Sequence, residues 1–115
     1  MARWYRRAYG LLKAKYRYVF VRHFPRDVKL DKSEIWKAIL SSLQYLVGTL
    51  GYADVNPYLV RIQKDLDGIV IRCNSKQVRT LVAAIAMVNN VGGESISLDV
   101  RKISGTLKAL LKKIN

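Results

Sequence analysis

The chain has 115 residues, half of them hydrophobic, which suits a single domain with one core. Lys and Arg number 21 against 8 Asp and Glu, a net charge of +13, and there is one Cys and one His. These counts exclude an internal disulfide and the zinc or haem motifs built from several Cys or His.

Residues 1–14 read as a basic arm. From Tyr16 to Phe24 the sequence YRYVFVRHF alternates, with Val19 and Val21 on one side and Tyr16, Tyr18, Phe20 and Arg22 on the other, which predicts a strand with two different faces. The next segment opens with Asp31 and Glu34 at capping-box spacing. It repeats Ile35, Ile39, Leu43, Leu46 and Leu50 at helical intervals before Gly51, predicting a helix. After Asn56 and Pro57, YLVRIQK alternates, and Leu66, Asp67 and Gly68 predict a hairpin turn into GIVIRC. Asn74 and Gln77 are candidate caps for a second helix, whose stripe of Val78, Leu81, Val82, Ile85 and Val88 ends near Gly92 and Gly93. SISLDVRKI is a fourth strand. From Ser104 onward, Leu107, Leu110, Leu111 and Ile114 share one side of a short basic helix.

The order strand, helix, strand, strand, helix, strand is that of an α+β, ferredoxin-like (RRM-like) split βαβ sandwich: a four-stranded antiparallel sheet with two helices on one face. The expected divisions are an arm at 1–14, the domain at 15–103 and the tail helix at 104–115. Alternation assigns Val19, Val21, Val60, Ile62, Ile69, Ile71, Ile96, Leu98 and Val100 to the covered face. Tyr16, Tyr18, Phe20, Arg22, Arg61, Gln63, Val70, Arg72 and Arg101 fall on the open one. Cys73 is in phase with Ile69 and Ile71, which makes it a small core residue beside an outward-facing Arg72.

The charge is unevenly spread. Residues 1–26 hold eight Lys or Arg and no acid, residues 100–115 hold five and no acid, and 27–99 hold eight of each sign. A neutral fold with two cationic ends suits nucleic acid, because each phosphate neutralised releases a counterion. An anionic membrane surface is the weaker rival. The longest apolar run is a few residues and the amino terminus lacks the order of a secretory signal, so the expected protein is soluble and cytoplasmic.

Three uses of the open face stand side by side. Unpaired RNA bases stack on rings and guanidinium planes, the tail helix can lie across Tyr18, Phe20 and Val70, or a protein partner can dock there. Enzymatic chemistry has weak support. HFPRDVKLDK places Arg26 after the first strand without the glycines of a phosphatase phosphate loop, and His23 has no nucleophile nearby in sequence. Ser41, Ser42 and Ser104 lack an evident base. Asp65 and Asp67 beside Gly68 read as turn residues rather than metal ligands.

Several stretches resemble one family, the small protein subunit of archaeal and eukaryotic ribonuclease P and of the related eukaryotic mitochondrial RNA-processing ribonuclease. They are KYRYVFV (15–21), NPYLVRI (56–62), GIVIRC (68–73) and SGTLKALLKK (104–113), in this order across nearly the whole chain. Residues 1–14 depart from that family's proline-containing lead, and VRKISGT lacks the glycine often found before SGT. The resemblance implies a protein that is not itself the catalyst. An RNA subunit with bound magnesium removes the 5′ leader from precursor tRNA, and the chain binds no cofactor of its own. It implies as partners the ribonuclease P RNA, precursor tRNA indirectly, and a TIM-barrel-like protein subunit, with assembly into a heterotetramer. A general RNA-binding or protein-interaction module of another ribonucleoprotein, or a small phosphatase, are the other classes.

Charge and resemblance together nominate RNA-binding residues. Arg3, Arg6, Arg7, Lys13 and Lys15 lie in and beside the arm, with Trp4 and Tyr5 available to stack. Arg17, Arg22, Arg72, Lys76, Arg101 and Lys102 belong to the sheet and its margins, where Tyr18 and Phe20 are stacking candidates. Lys108, Lys112 and Lys113 lie on the tail helix. Ser104, Gly105 and Thr106 match the family stretch and can either hold a phosphate or simply cap the helix. Arg72 is the central candidate, with a structural ion pair to Asp99 as the competing use.

Overall fold

The computed structural model describes residues 15–61 and 67–114. β1 (Tyr16–Phe24) leads through a cis Phe24–Pro25 peptide into α1 (Lys32–Val55), followed by β2 (Tyr58–Val60) and β3 (Ile69–Asn74). A 3-10 turn at Ser75–Gln77 opens α2 (Val78–Ala86). A small hairpin of β4 (Asn90–Val91) and β5 (Glu94–Ser95) then precedes β6 (Ser97–Ser104) and α3 (Leu107–Ile114). The main sheet has the order β2-β3-β1-β6 with every neighbouring pair antiparallel, which is the split βαβ, ferredoxin-like arrangement. No described helix is long and apolar enough to cross a membrane.

One face of the sheet presents Val19, Val21, Ile69, Ile71, Cys73 and Leu98 to Ile35, Ile39 and Leu43 of α1 and to Leu81, Ala84 and Ile85 of α2. Ser42 ties the two helices together, its hydroxyl donating to the Ala84 carbonyl at 2.6 Å. Asp31 caps α1 by accepting from the Ser33 amide at 3.1 Å. The helix runs beyond its expected end at Gly51. Gly48 kinks it at φ 69 and ψ −174, conformations open to glycine, and the chain stays helical to Val55 before Asn56 closes it at φ 50. The kink breaks the apolar stripe, so Leu46 and Leu50, expected in the core, are 40% and 85% exposed.

Other expectations need correction. Neither Asn74 nor Gln77 makes a side-chain cap hydrogen bond; Asn74 Nδ2 instead donates to the Asp54 carbonyl at 2.7 Å, tying β3 to the end of α1. Gly92 and Gly93, both at positive φ, turn the β4–β5 hairpin rather than merely following a helix. β2 is one residue out of the expected phase. Leu59 lies opposite Ile71 and packs on the main core, whereas Val60 lies opposite Val70 on the other face. Ile62, Gln63, Asp65 and Leu66 lie outside the described residues.

That other face carries a second core. Leu110 of α3 is fully buried against Phe20 and Val70, with Tyr18, Val60, Leu107 and Ile114 packed around it. Of the uses open to this face, cover by the tail helix is the one realised at its centre, and the molecule is layered as helices, sheet, helix. Gly68 approaches this region so closely that a Cβ there would overlap the Val21 carbonyl oxygen and lie 3.0 Å from Arg22 Cγ and Phe20 Cε1.

Candidate RNA-binding surface

Because α3 turns its apolar side inward, Lys108, Lys112 and Lys113 stand exposed on its outer side. α3 packs against β6, an edge strand, whose Arg101 and Lys102 are also exposed. A bulge at Phe20/Val21 pairs Lys102 with Phe20 and Val100 with Val21, leaving Arg101 without a partner across the ladder. Arg101 Nη1 lies 3.0 Å from Asp99 Oδ2 in an exposed pair that offsets part of its charge. The edge and the helix therefore form one cationic margin.

The SGT stretch joins them. Ser104 is buried opposite Tyr18, while Gly105 and Thr106 are exposed. Thr106 is an ordinary N-cap, its hydroxyl accepting from the Ala109 amide at 3.1 Å and its carbonyl from the Leu110 amide at 3.1 Å.

The sheet interior rearranges the other candidates. Phe20 is buried and Tyr18 half-buried under α3, so these two expected stacking residues are structural. Arg72 makes no ion pair with Asp99, which is taken by Arg101. Its guanidinium carbon instead lies 4.4 Å from the centroid of Tyr16 and 4.6 Å from that of Tyr58. Tyr58 was not among the sequence candidates; the signal was its place at the start of β2, opposite Arg72, once the phase of that strand is known.

At the opposite end of the sheet, Asp67 binds both Arg22, at 3.2 Å, and Arg26, which makes these two arginines a turn-stabilising cluster rather than free cations. His23 Nε2 is 2.6 Å from the Val28 carbonyl oxygen, a bond that holds the loop after β1. Arg17 is half-buried and donates from Nη1 to the Tyr16 carbonyl at 3.0 Å. Lys15 and Lys76 are exposed, and the Lys15 carbonyl accepts from the Ser75 amide at 2.8 Å. Arg3, Trp4, Tyr5, Arg6, Arg7 and Lys13 lie outside the described residues.

Among the described residues no hydroxyl or thiol is hydrogen-bonded to a histidine or a carboxylate. Burial pushes the Cys73 thiol up to about 11, with Arg17 acting in the opposite direction, so at neutral pH it is a protonated core group. Among the described residues no group of three or more His, Cys, Asp or Glu is placed to hold a metal ion.

The chain matches the Rpp14/Pop5 family model over residues 17–115. It is similar to ribonuclease P protein component 2 of Pyrococcus furiosus, 28% identical over 102 residues that cover 89% of this chain and 84% of that protein. The protein of the same name from Thermococcus gammatolerans is 31% identical over 105 residues, again covering 89% and 84%. Among solved structures, a chain of yeast ribonuclease MRP superposes with a TM-score of 0.56 at 15% identity, covering 89% of each chain, a likeness of fold. The matched segment takes in the whole sheet from the second residue of β1, both packed helices and the basic tail, and on that basis this chain belongs to the Rpp14/Pop5 family.

Proposed function

We propose that this chain is a non-catalytic protein subunit of ribonuclease P that binds the catalytic RNA and supports removal of the 5′ leader from precursor tRNA. The observation that carries the reading is the family match across 17–115, whose relatives are themselves named ribonuclease P protein component 2. The physical task fits the charge. Folding RNA helices against one another is opposed by phosphate repulsion, and a protein of net charge +13 with exposed lysines along one margin offsets it. RNA helices present shape and 2′-hydroxyls more than base edges, so such contacts need little sequence readout. Magnesium belongs to the RNA in this reading, and precursor tRNA is engaged through it.

The basic arm at 1–14 and the tail at 104–115, which flank the domain at 15–103 in the sequence, both engage phosphates. A protein partner, the TIM-barrel-like subunit with which it forms a heterotetramer, takes a different surface. Residues 38–53 carry no charge, and within them Tyr45 and Leu50 are each 85% exposed and Leu46 is 40% exposed. Exposed large apolar side chains on an uncharged stretch offer RNA phosphates nothing and suit a protein.

Reconstituted cleavage of precursor tRNA by an archaeal ribonuclease P RNA, with and without the chain, tests the reading. A lower magnesium requirement or faster cleavage in its presence is expected, and no effect on either overturns it. Neutralising Arg3, Arg6, Arg7, Lys13 and Lys15 is expected to reduce the log-log salt slope of RNA binding by about 4.5 if each engages one duplex phosphate.

A further inference from the structure

The tail helix covers the centre of the open face and, among the described residues, leaves Tyr58 exposed at one corner. Phe20, Val70 and Val60 form the rung beneath Leu110. One rung along β3 from Val70, Arg72 lies opposite Tyr18 on β1 and Tyr58 on β2, and Tyr16 follows a rung further on. The Arg72 guanidinium carbon lies there over both the Tyr16 and the Tyr58 ring. β2 is the edge strand on this side, and Tyr58 is 52% exposed although one of its faces rests on the guanidinium.

Two features of this stack are unfinished. It ends on the exposed Tyr58, and no carboxylate or carbonyl among the described residues bonds the Arg72 guanidinium. Arg22, Arg26 and Arg101, by contrast, each take an acidic partner. A guanidinium engaged through its face by aromatic rings leaves its in-plane Nη donors for another acceptor. One ligand class completes both features. An unpaired nucleotide supplies a base to extend the stack and, in its phosphate or base edge, an acceptor for the guanidinium. A base inside an RNA duplex cannot do so, since both of its faces are already stacked.

We propose that Tyr58, backed by Arg72 and Tyr16, is a stacking site for one unpaired nucleobase of single-stranded RNA, with Arg72 donating to the same nucleotide. This rests on the RNA-binding reading above and adds a contact of a different kind, whose stacking component is insensitive to salt and restricted to unpaired nucleotides. An aromatic side chain of a protein partner is the competing occupant; the net charge of +13 favours RNA.

The test uses the full chain and a short single-stranded RNA carrying one 2-aminopurine among uridines, with affinity measured across a salt series. Wild type is expected to quench the 2-aminopurine on binding. Tyr58→Ala is expected to abolish that quenching and weaken binding about 5- to 150-fold at an unchanged salt slope. Tyr58→Phe is expected to retain both, and thermal unfolding of each variant checks the fold. If Tyr58→Ala changes neither quenching nor affinity while loss of Arg3, Arg6 and Arg7 weakens binding, the stacking site is overturned and the RNA reading stands. If wild type binds no RNA at low salt, both fall. If Tyr58→Ala spares RNA and abolishes co-elution with the TIM-barrel-like subunit, the corner is a protein surface and the proposal is overturned.

Discussion

Leu110 is the residue on which docking of α3 turns, and its truncation to Ala tests the second core directly. The side chain is fully buried between Phe20 and Val70, whose strands are held from behind by the helices of the main core and cannot close over a void. Leu→Ala at such sites costs about 2–5 kcal/mol. The half-exposed Tyr18, Val60, Leu107 and Ile114 around it can shift inward, which places the cost near 3 kcal/mol at the lower middle of that range. α3 has eight residues and is too short to persist alone. The lost energy therefore appears as undocking of the helix, with the ferredoxin-like domain still folded. Hydrogen exchange of the Leu110 and Leu111 amides should accelerate about 100-fold while amides of β1 and β3 change much less. A dye that binds exposed apolar surface should light up on the uncovered Phe20 and Val70. Equal acceleration across the sheet would show that α3 and the domain unfold as one unit, and no acceleration anywhere would refute the assignment of Leu110 as the anchor.

Gly68→Ala should lower stability by about 2 kcal/mol or more, because the added methyl group meets the Val21 carbonyl of a central strand, which has no rotamer to escape into. A thermal melt should show a drop of about 10 °C, and an unchanged melt would mean that β1 and the turn are not in close contact. Cys73 should resist a thiol-reactive reagent at pH 8 in the folded chain and react fully in denaturant, and rapid native labelling would contradict its burial. Its raised pKa also has a sign. Above the ordinary value of 9.0 the unfolded chain loses this proton while the folded chain keeps it, so stability falls as pH rises between 9.0 and about 11. Cys73→Ala should lack that component, which denaturant titrations of the two proteins at pH 8 and pH 10.5 would reveal as a smaller pH difference for the variant.

Elements with a strong period were legible in the sequence and those without one were not. YRYVFVRHF alternates apolar and larger polar groups, and β1 occupies Tyr16–Phe24 as that alternation predicts. In GIVIRC, Ile69, Ile71 and Cys73 face the helices and Arg72 turns away, which dissolves any pairing between the thiol and the guanidinium. β2 failed because Tyr-Leu-Val offers no polar residue to mark a face, and a one-residue slip exchanges Leu59 with Val60. The end of α1 failed because Gly51 looks like a stop, whereas Gly48 absorbs the unusual conformation and the helix resumes. The candidate site was legible as a set of cations and opaque as a surface. Phe20 and Arg72 both alternate onto the open face, and only the position of α3 separates a covered ring from an exposed corner.

That helix also explains how one fold can serve RNA without a bare sheet. An uncovered ferredoxin-like sheet would offer Tyr18 and Phe20 to bases, a contact worth about 1–3 kcal/mol per base. Here the two rings are committed to Leu110 instead. In exchange, the amphipathic pattern that sends Leu107, Leu110 and Ile114 inward sends Lys108, Lys112 and Lys113 outward, over the same face and beside Arg101 and Lys102. Cover by α3 thus removes the central rings from stacking and leaves cations along the margin for the proposed phosphate contacts, and it confines any remaining stacking to the Tyr58 edge. Phosphate contacts carry no sequence information and weaken with salt, whereas one stacked base is salt-tolerant and demands an unpaired nucleotide. A surface that combines the two would recognise a junction, where a duplex supplies phosphates to the margin and a single-stranded turn presents a base at the corner. Two protein variants can separate these components in one binding experiment, since losing the tail lysines should change the salt slope and losing the Tyr58 ring should not.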